Sequence, residues 1–137
     1  MFIDGVKTLT LIVGTNALNI PRPGTGMALL SVVEEYEKLV HDLTVLFPNA
    51  KLGLFNVIPR VCTCEETRHR IESFNNIFDK HVVYRLKNVF WIRLYWEFLD
   101  ERGFLRSDLY GRSGVHLKGK GKGLMARSIR TFQYKYK

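Results

Sequence analysis

The sequence predicts an α/β domain built on a parallel sheet, and three observations lead there. Three short apolar runs, at 8–13, 51–58 and 89–95, read as strands, and the first is apolar on both faces, as an interior parallel strand is. Between the runs, apolar residues recur at spacings of three and four, the period of a helix with one buried face. A strand, then a helix, then a strand implies a parallel pair joined by a right-handed crossover. At 137 residues the chain is long enough for one domain with a real core and too short for two.

Taken in order, Thr8 to Val13 (Thr-Leu-Thr-Leu-Ile-Val) is β-rich, and Gly14-Thr15-Asn16 ends it. Residues 17–25 hold Pro21, Pro23 and Gly24, which mark a loop. From about Met27 to Phe47 the residues Leu29, Leu30, Val33, Tyr36, Leu39, Val40, Leu43 and Leu46 outline an amphipathic helix. Glu34, Glu35, Glu37, Lys38 and Asp42 form its wet side, and Pro48-Asn49 stops it. Residues 51–58 form the second strand. A second helix starts at Cys62-Thr63-Cys64 and runs to about Lys80, with Ile71, Phe74, Ile77 and Phe78 as its inner stripe. Residues 89–95 are the third strand; Trp96, Phe98 and Leu99 continue into a turn or short helix. The aromatics of this strand alternate beside Ile92 and Leu94, the pattern of core residues rather than of a base-stacking platform. A closing helix is signalled by Leu124, Met125, Ala126 and Ile129, behind a Lys-Gly alternation over 118–123.

Composition excludes several function classes. Hydrophobic residues make up 46% and aromatics 12%, a globular composition rather than a disordered one. No apolar run has membrane-spanning length, and the N-terminus has neither a basic region nor a cleavage site. The two cysteines, Cys62 and Cys64, are too close for good disulfide geometry, which predicts a reducing, intracellular and cytoplasmic setting. With His69 they form three quarters of a zinc set whose fourth ligand is missing at the usual spacing, so no metal is expected.

The net charge of +8 is concentrated at one end. From Glu101 to Lys137 ten cations face two acids, whereas the first hundred residues carry eleven of each sign. Such a block attracts RNA, DNA or an anionic membrane. It serves equally as a solvated helix face that keeps the protein soluble. Arg102, Arg112, Lys118, Lys120, Lys122, Arg127 and Arg130 are the candidate phosphate contacts.

Two groups stand where chemistry is done. Asn16 follows the tip of the first strand, where open α/β sheets gather their active groups, and its amide can donate to a developing oxyanion. His116 lies in a glycine-flanked loop ahead of the closing helix, placed to face a cleft. Each has a plainer reading: a turn-forming Asn, a surface His.

The blocks around them resemble two blocks of the SGNH, or GDSL-like, hydrolases. Gly114-Val115-His116-Leu117-Lys118, followed by Gly121, Met125, Ala126 and Ile129, is similar to the family's Asp-Gly-x-His-Leu-Asn-x-x-Gly-x-x-x-Leu-Ala-x-x-Ile block, in which the His is the general base. Leu11-Ile12-Val13-Gly14-Thr15-Asn16 is similar to its Gly-x-Asn-Asp block, in which the Asn is an oxyanion donor. The resemblance implies a flavodoxin-like three-layer α/β/α sandwich acting on a small ester without a cofactor. Residues 1–137 would be a single domain matching the C-terminal two-thirds of the family fold, an N-terminally truncated version.

The departures from the family matter as much. The Gly-Asp-Ser nucleophile block would precede Thr8 and is absent, as is the block carrying the oxyanion-hole Gly. The triad Asp position is Ser113, the Asp of the Asn block is Ala17, and Asp108 is the alternative orienter for His116. Neutralising a triad carboxylate costs roughly ten-thousandfold in rate, so an inactive domain is expected. The family's first strand would lie beside 8–13; its loss would leave that strand an open edge, for self-association or for pairing with an upstream segment.

Overall fold

A computed structural model of the chain describes residues 3–12, 15–19, 24, 26–61, 65–112, 114 and 116–136, the side chains of Thr15 and Asn16 excepted. The described elements are β1 (Thr8–Leu11), a helical turn α1 (Thr15–Leu18), α2 (Leu29–Leu46), β2 (Lys51–Phe55), α3 (Glu65–Ile77), β3 (Val89–Ile92) and α4 (Gly119–Lys135). A π-helical turn, Phe78–Val82, and a 3-10 turn, Val83–Arg85, extend α3; a further 3-10 turn, Tyr95–Phe98, follows β3. The strands form a parallel sheet in the order β1-β2-β3, with Leu9 opposite Leu52 and Leu54 opposite Trp91.

Strand alternation sorts side chains onto two faces, and each face has its own core. Leu9, Leu11, Leu52, Leu54, Val89 and Trp91 point toward α2 and α3, where they meet Val33, Tyr36, Val40, Ile71, Phe74 and Phe78. Phe55 and Ile92 point the other way, toward Met125, Leu124 and Ile129 of α4, with Phe98, Leu109 and Tyr110. Helices therefore cover both faces, giving the predicted three layers.

Gly53 sets how close α4 comes. A Cβ there would lie 2.9 Å from Ile92 Cδ1 and 3.0 Å from Phe132 Cε1, so the Phe132 ring occupies the space a larger residue would fill.

Several sequence boundaries move. The second strand ends at Phe55 rather than Ile58, because the buried Asn75 of α3 stands in for a neighbouring strand. Val57 N–H donates to Asn75 Oδ1 at 2.8 Å, and Asn75 Nδ2 donates to Val57 C=O at 2.8 Å. The third strand ends at Ile92 rather than Tyr95, because the N–H groups of Leu94 and Tyr95 turn to the buried Asn56 Oδ1, at 2.8 and 3.1 Å. The predicted loop from Ala17 opens inside a helical turn, and the Lys-Gly alternation is the start of α4 rather than a separate tract. Gly121 permits that start: a Cβ on it would come 2.4 Å from Leu109 C=O. Val13, Gly14, Cys62 and Cys64 lie outside the described residues.

Candidate functional site

The carboxyl ends of β1 and β2 form one rim of the sheet, and both predicted site residues belong to segments attached there. Asn16 lies in α1, the turn that follows β1. That turn is held by Arg70 of α3, which is only 8% exposed. Its Nε donates to Leu18 C=O at 3.1 Å, Nη2 to Ala17 C=O at 3.4 Å, and Nη1 to Met27 C=O at 2.5 Å. A planar guanidinium suits this task, because its fork of donors can satisfy several orphaned carbonyls at once. Nothing in the sequence distinguishes Arg70 from the other cations of its helix.

His116 sits in the loop that joins Tyr110 to α4. Antiparallel pairing of Tyr110 with Leu117 closes the loop's base. Gly111 N–H donates to His116 C=O at 2.8 Å, and Lys118 N–H to Leu109 C=O at 2.8 Å. Two bonds tie the loop to the segment leaving β2: Val61 N–H donates to Gly114 C=O at 2.9 Å, and the buried Tyr110 hydroxyl donates to Pro59 C=O. Burial pushes the Tyr110 phenol above its ordinary range, with the nearby Tyr95 adding to the shift, so the hydroxyl stays a donor. Gly114 has φ +67°, and a Cβ on it would fall 2.0 Å from Val61 Cγ2; only glycine fits. The His116 side chain is exposed.

Of the two candidate orienters, Ser113 lies outside the described residues. The exposed Asp108 carboxylate is engaged by two cations, Arg106 Nη2 at 2.8 Å and Lys120 Nζ at 3.0 Å. The Arg106 hydrogen bond, then that from Lys120, lowers its pKa to about 2. An orienting role for Asp108 would compete with these two partners.

A cleft of about 600 Å3 opens beside this rim, between the start of α3 and the 99–105 loop; Pro59, Arg60 and Val61 form one wall and His69 and Phe104 lie across it. His116 is not among its lining residues.

The seven predicted phosphate contacts are all exposed but do not form one patch. Arg102 and Arg112 sit on loops, Lys118 caps α4, and Lys120, Lys122, Arg127 and Arg130 lie along it. At 100° per residue, Lys120 and Arg127 fall within about 20° of each other, Arg130 lies about 60° round from Arg127, and Lys122 about 140° from it. No helix among the described residues is long and apolar enough to cross a membrane.

No protein-family model matches the chain, and no curated protein does. Solved structures do. A Streptococcus pneumonia protein provisionally described as a platelet activating factor superposes with a TM-score of 0.78 at 15% identity, over 96% of this chain and 62% of its own. A provisionally assigned acylhydrolase from Bacteroides fragilis follows at 0.73 and 13%, over 93% and 61%. The OSK domain of Drosophila Oskar gives 0.69 and 15%, over 90% and 60%. The chain thus spans about three fifths of the length of each neighbour, and it shares the α/β fold of these acylhydrolase-like structures.

Proposed function

We propose that the chain is an SGNH-type hydrolase domain in which Asn16 holds the oxyanion-donor position and His116 the general-base position. The observation that carries the reading is the shared rim: the Asn16 turn leaves β1, and the His116 loop is bonded to the segment leaving β2. Open α/β sheets bind and react at such a rim. In that chemistry a serine hydroxyl attacks an ester carbonyl, the imidazole takes its proton, and the Asn amide donates to the oxyanion. The chain does not turn over esters unaided in this reading. Ser31, Ser73 and Ser128 lie within helices and Ser107 in a loop, none at a strand tip, while Asp108 is taken up by Arg106 and Lys120. Hydrolysis of a p-nitrophenyl ester tests this: a rate at background in both the parent and His116→Ala is expected. A catalytic rate that His116→Ala abolishes would overturn the inactive assignment, and one that survives it would overturn the role of His116.

The same reading includes self-association through β1. The strand order ends at β1, and Lys51 N–H donates to Lys7 C=O at 2.9 Å. The backbone of residues 7, 9 and 11 therefore faces β2, and that of Thr8 and Thr10 faces outward. Thr10→Pro deletes an outward N–H without touching the β2 ladder, so light scattering should show a dimer in the parent and a folded monomer in the variant. A monomeric parent at all concentrations would sink the proposal.

A second reading, nucleic-acid binding, is favoured by α4 itself: Lys120, Lys122, Arg127, Arg130 and Lys135 lie on it with no acidic residue. Salt-sensitive retention of RNA without ester turnover would support it.

A further inference from the structure

The outer edge of β3 and the adjoining flank of α4 enclose a groove of about 540 Å3 whose lining does not include His116. Its floor is aromatic. Phe90, Phe132 and Tyr136 form a three-ring cluster, with centroids 4.7 Å apart for Phe90 and Tyr136, 5.0 Å for Phe132 and Tyr136, and 6.1 Å for Phe90 and Phe132. Phe132 is buried against Gly53, whereas Phe90 and Tyr136 remain half-exposed. Strand alternation explains why. It sends Trp91 inward, stacked on Phe78, and Phe90 outward to α4, so the expectation that every aromatic here serves the core holds for Trp91 and not for Phe90.

The rim of the groove is cationic. Arg127 and Lys135 lie on the flank of α4 that lines it, eight residues or about 12 Å apart along the axis. Lys135 Nζ stands 5.5 Å from the centre of the Tyr136 ring. Arg93 also reaches the groove, though its guanidinium is bound to Asp79, and Glu97 is the one acid among the lining residues.

We propose that this groove is a binding site for single-stranded nucleic acid, with a base stacked on Phe90 and Tyr136 and phosphates neutralised by Arg127 and Lys135. The proposal rests on the second reading above and gives it a surface and a strandedness. Charge alone would accept any polyanion. Half-exposed aromatic rings beside two cations add a requirement, a ligand that offers planar apolar faces and phosphates together, and a duplex hides its base faces in its own stack. Peptides with acidic side chains and lipid headgroups supply the charge without the planes.

Fluorescence anisotropy with the full chain tests this, using a labelled oligouridylate of about ten nucleotides. The same strand annealed to its complement and vesicles containing phosphatidylserine are the competitors. Tyr136→Ala should weaken single-strand binding about 5- to 150-fold, the range for loss of one stacked base. Arg127→Gln with Lys135→Gln, both exposed and safe for the fold, should lower the slope of log affinity against log salt by about 1.4, two phosphates on a single strand. Lys38→Gln with Lys80→Gln, exposed and outside the basic segment, should leave that slope nearly unchanged. Single-strand binding that ignores the groove variants would overturn the groove while leaving nucleic-acid binding intact. Equal affinity for the duplex, or displacement by the vesicles alone, would overturn the stacking assignment. No binding at about 50 mM salt would overturn both the groove and the reading it rests on.

Discussion

Removing the amide of Asn75 should cost this protein more stability than any surface change, and the structure sets the size of the loss. Asn75 and Val57 are both buried, and two 2.8 Å bonds join the side chain to the Val57 backbone. Asn75→Ala leaves one N–H and one C=O without partners. Each orphaned buried group costs about 1–3 kcal/mol, so complete loss would reach about 2–6 kcal/mol. A cavity of about 190 Å3 already borders Asn75, together with Asn76 and Trp91. Water admitted from it can replace part of what is lost, which favours the lower half of the range, about 2–4 kcal/mol. Urea denaturation followed by circular dichroism, extrapolated linearly, measures it; Asn76→Ala, at an exposed position, should stay within about 0.5 kcal/mol. Asn75→Asp refines the test. It keeps the acceptor for Val57 N–H but aims an oxygen at Val57 C=O, so at neutral pH it should be about as damaging as alanine. Below the carboxyl's own pKa the protonated acid can donate, and the variant should regain stability as pH falls. An Asn75→Ala loss below about 0.5 kcal/mol, or Asn75→Asp weakening further with acid, would refute the claim that this side chain substitutes for a strand.

Other residues make separate predictions. Arg70→Met should destabilise the fold by about 2–4 kcal/mol and speed amide exchange in the Asn16 turn more than elsewhere, because three carbonyls lose a charged donor; uniform exchange would refute the anchoring role. Gly114→Ala combines about 1–2 kcal/mol of left-handed backbone cost with a clash against Val61, and Val61→Ala should recover only part of it, since the Cβ would still lie 2.5 Å from Val61 Cβ. Asp108 should stay ionised until the pH approaches 2 in a carboxyl NMR titration, and Lys120→Ala should move its midpoint up. Because the folded value is depressed, the ion pairs' contribution is present above the ordinary carboxylate range and lost as pH falls through about 2. A midpoint near 4 in the parent would show that the pairs do not persist in solution.

Periodicity made much of the architecture legible. The short apolar runs at 8–13, 51–58 and 89–95 and the three-and-four spacing from Leu29 to Leu46 are local signals, fixed by which faces of an element are buried. The placement of Asn16 after the first strand and of His116 before the last helix was equally readable, because both depend on chain order. Where strands stop was not. Asn56 falls inside a predicted strand and Asn75 inside a predicted helix, yet in the fold their amides take over backbone partners and end β2 and β3 early.

Arg70 shows the same limit, since its sequence neighbourhood is that of any helix cation and only packing brings it to the carbonyls of residues 17, 18 and 27. The charge count located the basic segment but not its pattern. The fold decides that Arg127 and Lys135 line the aromatic groove while Lys122 and Arg130 do not. Sequence by itself determined what depends on the order and period of residues: element types, the parallel sheet and the end of the chain that bears the charge. Tertiary structure alone decided which distant polar groups satisfy one another, because a buried hydrogen bond is selected by three-dimensional proximity, of which the linear chain carries no local trace.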